Sequence, residues 1–348
     1  MSKEIRPRIT EEEYELLKGI REAGQEHEVG LKYMPDGWLK TKNSSVRFKN
    51  PLYEDPDKWS FENLDFSKIP KPDKVIYSPE KPTTNGFDRL VYTDVHIGME
   101  VNHKGKALYG GSWTQDDIKE RLQIMIKHVL KHKNNDTLVI DDLGDLMDGW
   151  DSKTVRKQHE LPQNMNNQEA YDFAFYFKIM LLENLAPEYN AIICHNVCDD
   201  NHSGDFGYVV NSAVKKYAEK AYKNVVINNQ QKFIDHYKVC GKQFVICHGK
   251  DGENLKFGFK PFLDKPAQLK IENYLLENRI VADFVEFSKG DSHQTVLDDT
   301  TSSRFNYYNY PAFSPPSNWV KTNFQNTKSG FFFFNHTPTD MSIHPKYF

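Results

Sequence analysis

A short apolar run in this sequence leads directly into a cluster of aspartates. Residues 138–140 are Leu-Val-Ile, and the aspartates that follow are Asp141, Asp142, Asp145 and Asp148. A brief apolar run bounded by turn residues is typical of a buried strand. Carboxylates gathered where such a strand ends repel one another unless cations or hydrogen-bond donors hold them. Gly144 lets the backbone turn sharply, so that the carboxylate of Asp145 can point into a cleft. Alone, the pattern marks a turn or a helix cap more often than a metal site.

Ligand-type residues follow four other strand-like runs of the chain. In chain order the five groups are Asp94 with His96, Asp145 with Asp148, Asn201 with His202, His248, and Asp291 with His293. Sites in α/β proteins lie at the carboxyl ends of strands, so the five groups can converge on one cleft. Residues two apart in an extended segment leave it on the same side, which suits Asp94 and His96 to one cation. Such a mixed ligand set is expected for paired divalent metal ions that activate water for phosphoryl transfer.

Strands and helices alternate around these groups. Strands are predicted at 89–93, 137–141, 191–197, 225–228, 284–287 and 331–334, with a hairpin at 232–239 and 243–247. Helices are predicted from Thr114 onward and at 167–185, 206–223 and 266–278. The helix after Thr114 carries apolar residues on one face, and Pro187 ends the next helix. This order indicates an α/β fold with a mixed sheet or two packed sheets.

Composition excludes several classes of protein. The chain has 348 residues, of which 27% are charged, and no apolar run approaches the roughly 18–20 residues that span a membrane. The net charge of −4 argues against a generally basic nucleic-acid coat but leaves a local basic groove open. The four cysteines fit no usual zinc spacing, and Cys194 and Cys247 lie in apolar runs, which predicts buried thiols and a reducing, cytoplasmic compartment.

Residues 1–84 differ in character from residues 85–348. Thr10 can cap a short helix, and the segment 33–84 is rich in proline, tryptophan, lysine and aspartate without sustained periodicity. We interpret residues 1–84 as an accessory arm that wraps the larger domain or as a small module that binds a protein partner. A rigid linker is the alternative.

The five groups together resemble the calcineurin-like metallophosphoesterase superfamily. Its blocks read Asp-x-His, Gly-Asp-x-x-Asp, Gly-Asn-His-Asp/Glu, a single His and Gly-His-x-His, and their counterparts occur in order between about residues 87 and 340. The resemblance implies an αββα sandwich of two mixed β-sheets flanked by helices, with a dinuclear metal centre. It assigns Asp94, His96, Asp145 and His293 to one ion, with Asp145 bridging to a second ion held by Asn201 and His248. It also implies a bridging hydroxide as nucleophile, His202 as the residue that assists the leaving group, and Asp148 as a residue that orients His202 or a metal ligand.

Two positions depart from the family pattern. Asp200 stands where the third block usually has glycine, so the tight glycine turn is missing. Asp291 stands where the last block usually has its first histidine. We expect Asp291 to replace that histidine as an oxygen ligand, which favours Mn²⁺ over the other candidate ions, Mg²⁺, Fe²⁺ and Zn²⁺. The alternative is a weak second site and a slow or single-metal enzyme.

The family does not determine the substrate, because its members act on many phosphate esters. Lys153, Arg156 and Lys157 follow the aspartate cluster and are candidate phosphate contacts. Lysines after Asn201–His202 and after His248 add basic segments on other sides, which favours a polyanion and hence a DNA nuclease or phosphodiesterase. The arm and the aromatic helix also resemble phage-encoded members linked to DNA processing, which would place the protein in a host cytoplasm.

Two other functions stay open. The chain can instead be a phosphomonoesterase acting on a small molecule or a phosphoprotein. It can also be a non-catalytic accessory subunit of a DNA-processing complex, although the retained ligand residues argue against that. An aromatic stretch at 307–310 can stack bases, but such a segment is more often a packed loop.

Overall fold

The computed structural model describes residues 86–105, 111–249, 255, 261–323 and 328–348, together with Lys18 and two short strands near the N-terminus. The chain divides into two compact units, Met1–Asp65 and Phe66–Phe348. In the first unit, β1 (Asp36–Lys40) pairs antiparallel with β2 (Ser45–Lys49), within a segment for which the sequence indicated no regular structure. The helix predicted after Thr10 lies outside the described residues. The arm's boundary at residue 84 and its partner-binding role stay predictions.

The second unit contains a six-stranded mixed sheet with the order β13-β12-β3-β4-β5-β6. Its strands are β3 (Phe87–Tyr92), β4 (Thr137–Asp142), β5 (Ala191–Val197), β6 (Val225–Gln230), β12 (Gly330–His336) and β13 (Met341–Tyr347). Strands β3 to β6 are parallel, whereas β12 runs antiparallel to both β3 and β13. The carboxyl ends of β3, β4 and β5 therefore lie at the same edge of the sheet.

A five-stranded mixed sheet has the order β10-β11-β9-β8-β7. Its strands are β7 (Ile234–Val239), β8 (Lys242–Cys247), β9 (Val285–Lys289), β10 (Val296–Asp298) and β11 (Asn306–Asn309). The central strands β8, β9 and β11 are parallel, and the edge strands β7 and β10 are antiparallel to their neighbours. The predicted hairpin is the pair β7–β8.

Five described helices flank the sheets. They are α1 (Gln115–His132), α2 (Asn167–Leu185), α3 (Gly204–Ala221), α4 (Lys265–Glu277) and α5 (Asn318–Asn323). Capping boxes start α1 and α2, with Thr114 and Asn166 as the N-cap residues. Helix α3 begins two residues earlier than predicted, because the Asp200 carboxylate accepts hydrogen bonds from the backbone N–H groups of Ser203 and Gly204. None of the described helices is long and apolar enough to cross a membrane.

The two sheets face each other, and β8 shows how their side chains alternate. Ile246 packs in a buried cluster with Val91 of β3 and Phe332 of β12, so it lies between the sheets. Val245, its neighbour, packs instead with Ile271 of α4. This period of two is what a strand covered on both faces requires. The second unit is thus made of two mixed sheets flanked by helices, which confirms the fold class predicted from the sequence.

Candidate metal centre

All five groups of ligand-type residues converge at one edge of the second unit. Asp94, Asp145 and Asn201 follow the parallel strands β3, β4 and β5 of the six-stranded sheet. His248 and Asp291 follow β8 and β9 of the five-stranded sheet. The site therefore lies where the two sheets meet, and each sheet contributes ligand-type residues.

Side-chain atoms of the site approach one another as ligands of a common ion do. Three groups each have potential ligand atoms within 4.8 Å of one another: Asp94, His96 and His293; Asp94, Asp145 and His248; and His96, Asp148 and His202. His293 Nε2 lies 3.2 Å from Asp94 Oδ1, and His248 Nε2 lies 3.0 Å from Asp145 Oδ2. Two atoms that each lie about 2.1 Å from one ion are themselves roughly 3 Å apart. The first two groups share Asp94, so they form adjacent sites.

Several buried atoms of the site lack a hydrogen-bond partner within the part of the chain that the structure describes. They are Asp94 Oδ1, His96 Nε2, Asn201 Oδ1, His248 Nε2, Asp291 Oδ2 and His293 Nδ1. Leaving one buried polar atom unpaired costs about 1–3 kcal/mol, so a cluster of them needs a compensating group. Carboxylate and amide oxygens together with imidazole nitrogens are donors that divalent cations accept. The residues therefore fit bound divalent metal ions.

Hydrogen bonds around the site orient the histidines toward its centre. His248 Nδ1 donates to the carbonyl oxygen of Leu143 at 2.9 Å, which turns its Nε2 toward the centre. His96 Nδ1 lies 2.9 Å from Asp148 Oδ1, which leaves His96 Nε2 facing Asp94 and Asp145 at 3.6 and 3.9 Å. Metal-binding histidines are usually fixed through the second ring nitrogen in this way.

The backbone at the site is unusual, and it corrects one expectation. Asp94, His96, Asp145, Asp291 and His293 all have positive φ angles, between 49° and 64°. The extended geometry expected for Asp94 and His96 is therefore wrong: both are in the left-handed region, which few non-glycine residues occupy. The two side chains still meet, because the backbone N–H groups of Asp94 and His96 donate to the carbonyls of Gly144 and Asp145.

Glycines flanking the ligand residues permit close packing at two points. Gly144 has a φ of 104°, and a Cβ there would lie 3.0 Å from Asp200 Cβ and from His248 Nδ1. A Cβ on Gly290 would lie 2.2 Å from Thr93 Oγ1. No side chain fits at Gly290 unless Thr93 moves, and Thr93 Oγ1 donates to Asp94 Oδ2 at 2.8 Å. The glycines of the sequence blocks therefore allow the two sheets to approach each other at the site.

His202 and Asp148 form a pair at the side of the centre. His202 Nδ1 lies 3.3 Å from Asp148 Oδ1 and 3.1 Å from the Asp148 carbonyl oxygen. Its Nε2 lies 3.9 Å from Asp145 Oδ2, and the side chain is 18% exposed, whereas His248 is fully buried. Asp148 thus contacts both His202 and His96. The arrangement leaves His202 Nε2 accessible to a molecule bound at the centre.

Electrostatics keeps the central carboxylates ionised. Burial raises the pKa of Asp145, but the imidazoles of His248 and His202 outweigh burial and hold this pKa well below its usual range. Burial also raises the pKa of Asp94, but His293 outweighs burial and holds this pKa well below its usual range. Both carboxyls are therefore anionic at neutral pH, the state in which they bind cations.

Asp291 occupies the position expected for the replaced histidine. Its Oδ1 lies 3.7 Å from His248 Nε2, and its backbone N–H donates to Asp94 Oδ2 at 3.1 Å. Burial raises the pKa of its carboxyl. The structure thus brings Asp291 beside the second group of ligand atoms, while its role as a metal ligand stays a prediction, as do the roles of the other site residues.

The three predicted phosphate contacts lie on a loop that adjoins the site. The backbone N–H of Arg156 donates to the Asn201 carbonyl, and that of Val155 to the His202 carbonyl. The Arg156 guanidinium binds Asp199 Oδ1 at 2.9 Å, so its charge is already paired. Lys153 and Lys157 are exposed. Their contact with a phosphate stays a prediction.

Asp200, which the sequence marked only as a departure from the family pattern, is a structural residue of the site. Its carboxylate is buried and accepts hydrogen bonds from the backbone N–H groups of Asp145, Ser203 and Gly204. Burial and the charge of Asp145 raise its pKa to about 6. Asp200 thereby fixes the turn that the family usually makes with glycine. Its signal in the sequence is an aspartate placed just before a helix start.

Two expectations about residues outside the centre are confirmed. Cys194 and Cys247 are buried, and all four cysteines are free thiols. Tyr307, Tyr308 and Tyr310 are each at most 3% exposed. The aromatic stretch at 307–310 is therefore packed in the core and offers no surface to a base.

Comparison with known proteins adds distant likenesses of fold. No protein-family model and no curated protein sequence matches this chain. Among solved structures, Vps29 from Entamoeba histolytica, crystallised with Zn²⁺, is 11% identical, covers 75% of this chain and 98% of its own, and has a TM-score of 0.33. A conserved uncharacterized protein from Streptococcus pneumoniae TIGR4, a predicted phosphoesterase, is 8% identical over 49% of this chain and 91% of its own, with a TM-score of 0.26. At these identities and TM-scores, neither likeness establishes a family or an activity.

Proposed function

We propose that this chain is a metal-dependent phosphoesterase that hydrolyses phosphodiesters at a dinuclear centre. The observation that carries the proposal is the set of buried, unpartnered ligand atoms arranged in two groups that share Asp94. Most buried polar groups of a protein have hydrogen-bond partners, whereas these atoms cluster at one place without a well-oriented partner among the described residues. The oxygen-rich set, with Asp291 beside His248, favours Mn²⁺. Divalent cations bound there would activate a water molecule and offset the negative charge of the phosphate.

We assign His202 the role of protonating the leaving group. Its Nδ1 is held by Asp148, while its Nε2 faces the centre and is accessible. The Asp145 and Asp148 carboxylates favour its charged form, and the pKa of His202 is raised despite burial. A protonated imidazole in this position can donate its Nε2 proton to the departing oxygen, which is general acid chemistry. Asp148 acts through His202 and is a positioning residue.

We assign nucleic acid as the substrate class. The exposed Lys153 and Lys157 lie on the loop whose backbone binds the Asn201–His202 segment, and this supports them as phosphate contacts. Cations beside the scissile phosphate raise the affinity for a polyanion. The pairing of Arg156 with Asp199 leaves these two lysines as the proposed phosphate contacts of the loop.

The decisive variant is Asp145→Asn, assayed on bis-p-nitrophenyl phosphate with Mn²⁺. Asp145 lies 3.0 Å from His248 and 3.9 Å from both His96 and His202, so loss of its charge affects the whole centre. We expect turnover to fall at least a hundredfold, on the order of the losses seen when one charge-stabilising group is removed. Asp116→Asn is the matched control, because the Asp116 side chain is 92% exposed on α1. Undiminished turnover by Asp145→Asn would refute the site.

A substrate panel separates the proposed activity from its two alternatives. Single- and double-stranded DNA, RNA, cyclic nucleotides, p-nitrophenyl phosphate and a phosphopeptide are each tested with Mn²⁺, Mg²⁺ and Zn²⁺. Degradation of DNA without monoesterase activity supports the nuclease assignment. Turnover of the phosphopeptide or p-nitrophenyl phosphate alone makes the chain a phosphomonoesterase. Metal binding without any turnover makes it a non-catalytic subunit.

A further inference from the structure

A partly exposed aromatic cluster lies on the surface of the second unit. Trp150 is 46% exposed, although large apolar side chains are usually buried. Its ring packs edge-on against Phe206 with a centroid separation of 4.6 Å, and Phe206 lies parallel to Tyr171 at 6.5 Å. Val209, one turn further along α3 and 53% exposed, extends the apolar surface. We call Trp150, Phe206 and Tyr171 the aromatic platform.

The aromatic platform adjoins the candidate metal centre through its neighbours in sequence. Trp150 comes two residues after Asp148, whose carboxylate contacts His96 and His202. Phe206 comes four residues after His202, in the first turn of α3. The loop after Trp150 also binds this segment, because the N–H of Val155 donates to the His202 carbonyl. The platform is therefore on the His202 side of the centre.

The backbone that carries Trp150 is fixed although its ring is exposed. Trp150 and Lys153 exchange two backbone hydrogen bonds, of 2.8 and 3.0 Å. Asp151 is bound twice by Asn167 at the start of α2, once through its backbone N–H and once through its carboxylate. At Gly149 a Cβ would lie 2.3 Å from the Lys153 carbonyl oxygen, so the turn is tightly packed. A flat group that stacks on Trp150 therefore binds to a backbone that is already ordered, so the protein loses little conformational entropy on binding.

We propose that the aromatic platform stacks a nucleobase of the substrate, with Trp150 as the contacting residue. This inference rests on the proposed phosphodiesterase function and makes the substrate class nucleotidyl esters. Bases stack on aromatic side chains regardless of sequence, which suits an enzyme that takes its specificity from the phosphate backbone. Lys153 is exposed and its backbone pairs with that of Trp150 across the turn, so the same turn supplies a cation for a nucleotide's phosphate. Trp150 is thus a specificity-determining residue.

Two substrates with one leaving group test the stacking. Thymidine 5′-(p-nitrophenyl phosphate) and ethyl p-nitrophenyl phosphate both release p-nitrophenol, but only the first carries a base. With Mn²⁺, we expect Trp150→Ala to raise KM for the thymidine ester about tenfold, while kcat and the KM for the ethyl ester stay unchanged. Trp150→Phe should recover most of the loss. Leu276→Ala is the control, since Leu276 is 69% exposed on α4.

A binding measurement decides the same question without turnover. A stacked base quenches indole fluorescence, so AMP added with Mn²⁺ should quench the wild-type protein and quench Trp150→Phe less. An equal rise in KM for both esters, an unchanged KM for the thymidine ester, or an equal quench in both proteins would overturn the stacking. A Trp150-dependent preference for phosphotyrosine would overturn the nucleobase assignment. If the wild type hydrolyses neither ester, the proposed function fails, and the AMP titration still decides the role of Trp150.

Discussion

At the scale of single residues, the backbone of the ligand residues is what distinguishes this centre. The five residues with positive φ angles at the site each carry a strain of about 1–3 kcal/mol, which the surrounding hydrogen bonds must hold. The spacing of ligand-type residues in the sequence predicted which side chains meet. It could not predict their left-handed backbone, because nothing in Asp94 or His96 as residue types favours that conformation as glycine does.

Asp200 also shows what the sequence alone could not predict. Its carboxylate replaces a glycine turn by accepting three backbone N–H groups, and this depends on the position of Asp145 in the fold. The sequence shows only a departure from a pattern. Whether that departure weakens the site or is compensated follows from contacts between residues far apart in the chain.

The replacement at Asp291 leads to a prediction about metal stoichiometry. Asp291→Ala removes a buried carboxylate whose Oδ1 is 3.7 Å from His248 Nε2 and whose Oδ2 is unpartnered among the described residues. We expect the wild type to bind two Mn²⁺ per chain and Asp291→Ala to bind one, as measured by calorimetric titration and elemental analysis.

The control for this prediction is Asp299→Ala, since Asp299 is an exposed aspartate that follows β10 in the sequence. It should retain two ions. Two ions in Asp291→Ala at unchanged affinity would show that Asp291 does not replace the missing histidine, and the second site would then consist of Asn201, His248 and Asp145 alone.

At the scale of elements, β4 shows why a cluster of aspartates need not act together. Asp141 and Asp142 are adjacent on the strand, so they point to opposite faces. Asp141 binds Arg89 between the two sheets, and Asp142 binds Lys178 of α2 on the helix side. The five groups of ligand-type residues in the sequence include neither of these two aspartates. Their partners come from β3 and α2, which no local pattern in β4 indicates.

Arg89 provides a test of how the two sheets are joined. Its guanidinium is fully buried and lies 2.6 Å from both Asp141 of β4 and Glu286 of β9. Arg89→Met would leave two carboxylates buried without their cation. We expect the free energy of unfolding to fall by about 3–5 kcal/mol, measured by urea denaturation.

The matched control is Lys119→Met, because its partner on α1, Asp116, is 92% exposed and Lys119 itself is 30% exposed. The free energy of unfolding of Lys119→Met should fall by at most about 1 kcal/mol. Adding Asp141→Asn and Glu286→Gln to Arg89→Met should restore part of the stability. A loss below about 1 kcal/mol in Arg89→Met alone would mean that the buried carboxyls are protonated or hydrated, and that Arg89 does not hold the sheets together.

At the scale of the whole molecule, the site depends on the packing of two sheets against each other. The sequence predicted that strand ends would converge, and it predicted most strand and helix positions within a few residues. The alternation of strands and helices alone left open whether the strands form one sheet or two, and the family resemblance implied two. Which strands belong to which sheet follows from pairing between distant strands, such as β12 with β3 and β11 with β9. Because ligand residues come from both sheets, bound metal ions would also link them.

Three histidines in ring contact join α1 to β13, and they lead to a prediction about global stability. His128 and His132 on α1 lie 4.5 Å apart between ring centroids, and His132 stacks on His344 at 4.4 Å. His128 Nε2 donates to the His344 carbonyl at 3.1 Å. Burial, reinforced by the charges of His132, His344 and Lys346, lowers the pKa of His128 to about 4, and burial lowers the pKa of His132 and of His344.

The sign of the pH effect follows from these directions. The unfolded chain protonates His128 near its ordinary pKa of about 6.5, whereas the folded chain resists protonation until about pH 4. The unfolded state therefore binds more protons in this range, and stability falls as the pH drops through 6.5 toward 4. Other groups titrate in the same range, including Asp200 with its pKa raised to about 6, so the effect must be measured as a difference between variants.

His128→Gln removes the titrating ring and keeps a donor for the His344 carbonyl. Between pH 7.5 and pH 5, we expect the Tm of the wild type to fall by roughly 2–4 °C more than the Tm of His128→Gln, measured by calorimetry without added metal. His159→Gln, which replaces an exposed histidine, should follow the wild type. Equal pH dependence in the wild type and His128→Gln would mean that the histidines accept protons in the folded state, and that α1 and β13 separate at this contact before the molecule unfolds.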